Sequence, residues 1–387
     1  MDSLTQMVLG AAVGTAVMGR RAGARAALWG AALGTLPDLD TLIAYGDPVR
    51  DFTLHRAESH ALFWLTLAAI PLAALIHRLT GATQGHFRGW LLATWLALVT
   101  HPLLDAFTVY GTQLLLPFSD MPVGAGSIFI IDPLYTLPLL AGLVAALALW
   151  RRRPALAHGL NLAGLALSTT YLAWSVVAQA HVTGIVHRTV AATPLATGRV
   201  LVTPTPFNTL LWRVVVMDGA GYHEGYYSLL DDGRPVDFTR HASEPALLDG
   251  LRDDWAVRRL AWFSKGFYAV RRAPAEVTVA TESLSTMRQL FMQVPTATAA
   301  GGRADDRPRV VMSDLRMGQT PWFVFTFVVG AEDAGGATPV EPLQLPSQRP
   351  PAEALGWLIR RILDPAAGPP PGQADARAPT IVRREAA

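Results

Sequence analysis

Six apolar stretches fill the first 180 residues, at 4–19, 26–45, 61–79, 90–118, 128–150 and 155–180, and four of them hold or border acidic and histidine side chains that hydrocarbon excludes. Each stretch is near or above the ~20 residues a helix needs to cross a bilayer. Lipid offers backbone amides and carbonyls no water, so a chain of this pattern is restricted to helices that satisfy their own hydrogen bonds. Composition agrees: 51% of residues are hydrophobic and 16% charged, against about a quarter charged in a soluble domain. The expected fold class is an α-helical polytopic membrane domain of about six transmembrane helices, residues 1–183, followed by a strand-rich α+β extracytoplasmic domain.

Charge order sets the expected orientation. Asp2 precedes the first stretch and Arg20, Arg21 and Arg25 follow it, the reverse of a secretion signal. The stretch therefore reads as a retained helix with its N-terminus outside. The first, third and fifth loops hold Arg20, Arg21, Arg25, Arg78, Arg88, Arg151, Arg152 and Arg153, whereas the second and fourth hold only Arg50 and Arg56. Arginine marks the cytoplasmic side. Six crossings with an external N-terminus then leave everything after residue 180 outside.

Seven side chains stand out as metal ligands: Asp38, Asp40, His55, His60, His101, Asp105 and Asp132. At 1.5 Å of rise per residue, Asp38 lies about 20 Å above the cytoplasmic flank, His101 about 16 Å, Asp105 about 22 Å and Asp132 roughly 24 Å. His55 and His60 flank the outer entrance of the third stretch, so all seven converge on the outer half of the membrane. His101 and Asp105, four apart, share one helical face. Pro37 interrupts the second stretch and allows Asp38 and Asp40 to leave a regular helix. An isolated intramembrane His or Asp most often bonds a neighbouring helix, but helix gluing gives no reason for four carboxylates at one depth. Histidine with carboxylate suits one or two divalent ions, zinc or manganese before calcium. Seven ligands exceed the needs of one zinc, which favours two. Glu58 is a candidate general base, Arg56 a candidate anchor for a substrate phosphate or carboxylate, and Thr108 or Gln113 a candidate hydrogen-bond donor.

Several ordered motifs carry a family resemblance over residues 1–180. They are Met1-Asp2-Ser3-Leu4-Thr5-Gln6, Gly34-Thr35-Leu36-Pro37-Asp38-Leu39-Asp40, His55-Arg56 with His60, His101-Pro102-Leu103-Leu104-Asp105 continuing to Tyr110-Gly111-Thr112-Gln113, and Ile131-Asp132-Pro133. Together they resemble the inner-membrane metal-dependent hydrolase family, also described as LexA-binding, inner-membrane-associated hydrolases. The resemblance implies membrane-bound hydrolysis, with the seven residues as the metal set. The family pattern has glycine after His-Arg and a hydroxyl residue after the second histidine. This chain has Ala57 and Ala61 there, with Glu58 between the histidines, a change that keeps the ligands and alters what stands behind them.

Beyond residue 183 the pattern changes to short β-rich runs, at 200–202, 212–217, 225–230, 266–271, 277–280, 310–313 and 322–329, with helix at 244–261. The aromatic residues of this part, Trp212, Tyr226, Phe263 and Phe267 among them, read as core. Residues 184–330 form the expected domain, 331–351 a Gly/Pro-rich linker, 352–364 an amphipathic basic helix suited to a membrane surface or to the domain, and 365–387 a disordered tail. The chain has no cysteine, which excludes disulfides and thiolate sites. Its net charge of +2 and its motifs carry no nucleic-acid signal. A site at the outer leaflet makes membrane lipid the expected partner and a lipid or lipid-linked ester or phosphoester the expected substrate. The two other classes are a transporter moving ions on the same carboxylates and a non-catalytic metal-binding scaffold. Vesicle uptake without turnover marks the first, and a phenotype indifferent to Asp105→Ala the second.

Overall fold

The computed structural model describes residues 1–81, 85–274, 306–347 and 350–373. It divides into two units, one of residues 1–41, 55–182 and 202–212, the other of 42–54, 183–201 and 213–387. A helical N-terminal region is followed by a strand-rich C-terminal one.

Helix α1 (Ser3–Ala22) begins where the Asp2 carboxylate accepts from the amide (3.0 Å) and the hydroxyl (2.6 Å) of Thr5, a side-chain cap for amides that a helix start leaves open. Gly23, at φ 57°, turns the chain into α2 (Ala24–Thr35). These two helices meet backbone to backbone: a Cβ on Gly10 would run into the Gly30 carbonyl, and one on Gly34 into the Gln6 carbonyl. Small residues permit such approach, and van der Waals packing holds it where no hydrophobic drive exists between helices in lipid. Helix α2 stops ahead of Pro37, and Pro37–Leu42 continues as a 3-10 turn.

The chain then forms α3 (Pro48–Leu54), a 3-10 turn at Glu58–His60, α4 (Leu62–Leu79), α5 (Phe87–Asp105), α6 (Pro133–Leu149) and α7 (Pro154–Val190). The helical core gathers Met18, Ala26, Trp90, Leu98, Tyr135 and Leu139. By length and composition α4 and α7 are able to cross a membrane, and α6 is a shorter apolar helix. Large apolar side chains point outward along them, among them Leu67, Ile70, Leu75, Leu137, Leu167 and Val177.

The apolar run at 90–118, long enough to tilt or to break near Gly111, breaks. α5 ends at Asp105, Gly111 takes φ 108°, and Thr112 and Val123 exchange backbone hydrogen bonds of 2.7 and 2.9 Å. Irregular backbone is tolerated in so apolar a run because protein groups satisfy it: Gln113 N donates to Arg56 O (2.9 Å) and Leu62 N to Leu114 O (3.0 Å).

The second unit carries β1 (Val200–Pro204), β2 (Leu211–Met217), β3 (Gly221–Ser228), β4 (Phe238–Ala242), α8 (Trp255–Phe263), β5 (Tyr268–Ala273), β6 (Arg309–Asp314), β7 (Gly318–Gln319), β8 (Trp322–Phe323), β9 (Thr326–Asp333), β10 (Gly336–Gln344) and α9 (Glu353–Leu363), the first two strands lying at the unit boundary. Its sheets run β1-β2-β3-β4 and β10-β9-β6-β5, with a small β7-β8 pair. Phe52 of α3 packs on Phe263, Phe325 and Phe327. The expected linker at 331–351 is corrected, because it holds the end of β9 and all of β10. Gly336, at φ 112°, closes the hairpin. The prolines of β10 are accommodated because it is an edge strand with a register shift between Pro339 and Leu343. Part of the expected disordered tail is ordered as well: the Trp357 indole donates to Gly368 O at 3.1 Å. The expected strand at 277–280 and residues 374–387 lie outside the described residues.

Candidate metal centre

Four of the seven expected ligands come together. One donor atom from each of Asp38, His60, His101 and Asp105 lies within 4.8 Å of all the others. Asp38 is on the 3-10 turn that Pro37 forces, His60 ends the turn before α4, and His101 and Asp105 share a face of α5. Nε2 of His60 and of His101 are 3.2 Å apart. Asp38 Oδ1 lies 3.4 and 3.3 Å from them, and Asp105 Oδ2 3.4 Å from each.

The outer partners fix the tautomers. His101 Nδ1 is 2.6 Å from the carbonyl of Gly34, which only accepts, so Nδ1 carries the proton. Ser59 Oγ donates to Asp40 Oδ2 at 2.6 Å, leaving its lone pair for the Nδ1–H of His60 at 2.8 Å. With Nδ1 so occupied, each ring in its neutral form turns its Nε2 lone pair toward the other and toward two carboxylates. Four electron-rich atoms facing one buried point repel unless a cation lies among them. The oxygens of Asp105 divide the same way: Oδ1 takes the α-amine of Met1, Gln6 Nε2 (3.0 Å) and the Arg56 guanidinium (3.3 Å), while Oδ2 is buried without a hydrogen bond. Two imidazoles and two carboxylates form a donor set that could hold a metal ion.

The other expected site residues have different positions. Asp40 is buried behind the cluster, where it accepts from His55 Nδ1 (2.8 Å), Arg56 N (3.1 Å) and Ser59. It orients two histidines and is not among the four donors. His55 stands edge-on to His60 and Tyr110, ring centres 5.8 and 5.5 Å away. Asp132 caps α6, accepting from Leu134 N and the Tyr171 hydroxyl at 2.9 Å each, so it leaves the metal set. With the seven-ligand premise gone, the cluster favours one ion over two. Glu58 is exposed on its turn and is not brought to the four donors. Thr108 donates to Asp105 O (2.7 Å) and accepts from Arg56 Nη1 (3.3 Å), so its proton is already in use. Gln113 is buried beside Arg56, to whose carbonyl its amide donates. Arg56 is buried at φ 64°, a conformation rare outside glycine. Its guanidinium lies over Tyr110 at 5.0 Å, and its Nε has no partner. Ser59 was missed: a hydroxyl beside a ligand histidine was the available signal.

Two helices long and apolar enough to cross a membrane, beside a buried group of His and Asp donors, describe a candidate membrane protein with a candidate metal centre. Residues 1–182 match the model of the YdjM inner membrane protein family. The uncharacterized protein YfhP of Bacillus subtilis (strain 168) is 31% identical over 157 residues, 39% of this chain and 46% of YfhP, so the chain spans about half the length of that curated relative. No solved structure matches.

Proposed function

We propose that the protein is a metal-dependent hydrolase of the bacterial inner membrane, acting at the outer half of the bilayer on a lipid or lipid-linked ester or phosphoester. In this reading the helical region crosses six times and the strand-rich region is extracytoplasmic. The observation that carries the proposal is the convergence of the His60 and His101 Nε2 atoms, 3.2 Å apart, beside Asp38 and the unbonded Asp105 Oδ2. Asp38, His60, His101 and Asp105 would hold one divalent ion, which when bound polarises a substrate oxygen and makes water acidic enough to ionise near neutrality.

The remaining work falls to the chain's own groups. His55 Nε2, its ring held by the Asp40 carboxylate, accepts the proton of the attacking water and returns it to the leaving oxygen. The free Nε–H of Arg56 faces no protein acceptor and suits an anionic substrate oxygen. Its strained backbone is held by Asp40 on the amide side and by Gln113 on the carbonyl side.

Metal analysis and turnover on detergent-purified protein test this together. Wild type is expected to retain about one divalent ion per chain, as a four-donor site does. His101→Ala and Asp105→Asn are expected to lose ion and turnover, and His55→Ala to keep the ion and lose turnover. Equal metal in wild type and His101→Ala returns the cluster to helix gluing. Bound metal with vesicle uptake and no hydrolysis makes the protein a transporter.

A further inference from the structure

Helix α9 uses two faces. Its inner face, Ala354, Trp357, Leu358 and Arg361, is buried. Arg361 pairs with Asp231 through two arms, at 2.9 and 2.7 Å, and donates to the carbonyl of Tyr226 at 2.9 Å. The Trp357 ring meets Tyr226 edge-on at 4.9 Å, and Ser228 Oγ donates to Ile362 O at 2.8 Å. These contacts fix the rotation of the helix and so decide what its outer face presents. That face carries Leu355, Ile359 and Leu363, spaced four apart along one line and 54, 64 and 70% exposed. The turn Ser228–Asp231, which receives the end of the helix, adds Leu230 at 58%. Arg360 lies exposed beside the line.

On a helix docked to a soluble domain the outer face is polar. We infer that the Leu355–Ile359–Leu363 ridge rests on the bilayer surface, its apolar side chains in the headgroup–acyl boundary and Arg360 against anionic lipid phosphate. Residues 1–182 match an inner-membrane protein family, and on the membrane reading proposed above a bilayer is at hand. A row of aliphatic side chains flanked by a cation fits the lipid interface, where such helices bury their apolar face about 5–10 Å deep. A protein partner is the poorer fit: protein interfaces draw on aromatic anchors, and the single aromatic residue of this helix, Trp357, faces inward.

The chain lacks cysteine, so Leu355→Cys, Ile359→Cys and Leu363→Cys each give one site for an environment-sensitive fluorophore in the full-length protein. In single-copy nanodiscs of phosphatidylethanolamine and phosphatidylglycerol, doxyl-labelled lipid should quench these three at least about twofold more than a Glu353→Cys control, as insertion to the acyl boundary requires. Arg360→Glu should reduce the quenching at Ile359→Cys. Equal quenching at ridge and control positions, or equal access to aqueous iodide, overturns the inference. Protection from both quenchers shows that the protein's own chain covers the ridge, and protection that needs two copies per disc shows self-association; either result also overturns it.

Discussion

Ser59 holds two acidic and basic partners through one hydroxyl: it accepts from His60 Nδ1 and donates to Asp40. Ser59→Ala removes the acceptor that fixes the His60 tautomer, and losses of this kind typically weaken a metal about 10–100-fold. Competition with a fluorescent chelator reads the change; an unaltered affinity would mean that packing alone orients His60. The four donors were all legible as residue types at matching depth, but depth is one coordinate of three. Asp132 reached the right height and the wrong side, capping α6 and bonding Tyr171. Asp40 and His55 were recognised as part of the centre, while their pairing, Nδ1 to Oδ1 at 2.8 Å, depends on a fold that spacing does not encode.

Secondary elements were legible wherever hydrophobic runs were bounded by caps or prolines. Helix α4, strands β1, β2, β5 and β6 and α9 lie close to their expected places, whereas β4 was not expected. The run after Asp105 was not, because a buried loop and a buried helix can be equally apolar, and only the partners of Arg56, Leu62 and Val123 reveal the loop. Proline and glycine in β10 read as linker because the edge position that excuses them is a property of the sheet order. The seam between α1 and α2 belongs to this scale. Gly30→Leu must force the backbones apart, and overpacking of this kind costs about 1–3 kcal/mol or more. Thermal unfolding in detergent is expected to shift down by several degrees, with loss of bound metal, because the Gly34 carbonyl that steadies His101 moves with the seam. A variant as stable and as metal-loaded as wild type would show that the close crossing is dispensable.

At the scale of the whole molecule, the strand-rich unit has its own polar core. Glu224 is buried and accepts from Arg213 Nε at 2.5 Å and from the Tyr226 hydroxyl at 3.0 Å. Burial by itself pushes this carboxyl up, but the charge and hydrogen bond of Arg213, with Thr320, outweigh it and hold Glu224 below the ordinary glutamate range. A carboxyl depressed in the folded state contributes stability above its unfolded value and loses it as pH falls through the folded one. Acid should therefore destabilise this unit through protonation of Glu224, read as a falling unfolding midpoint on descending pH. Glu224→Gln should flatten that dependence while costing roughly 3 kcal/mol at neutral pH, since it leaves Arg213 buried and unpaired. An unchanged acid slope would assign the dependence to other carboxylates. In the helical unit the order of synthesis matters instead. Asp38 and His60 are made well before His101 and Asp105, so a nascent chain that has not yet delivered α5 holds half a grip. The four-donor set is thus complete only once α5 has been delivered.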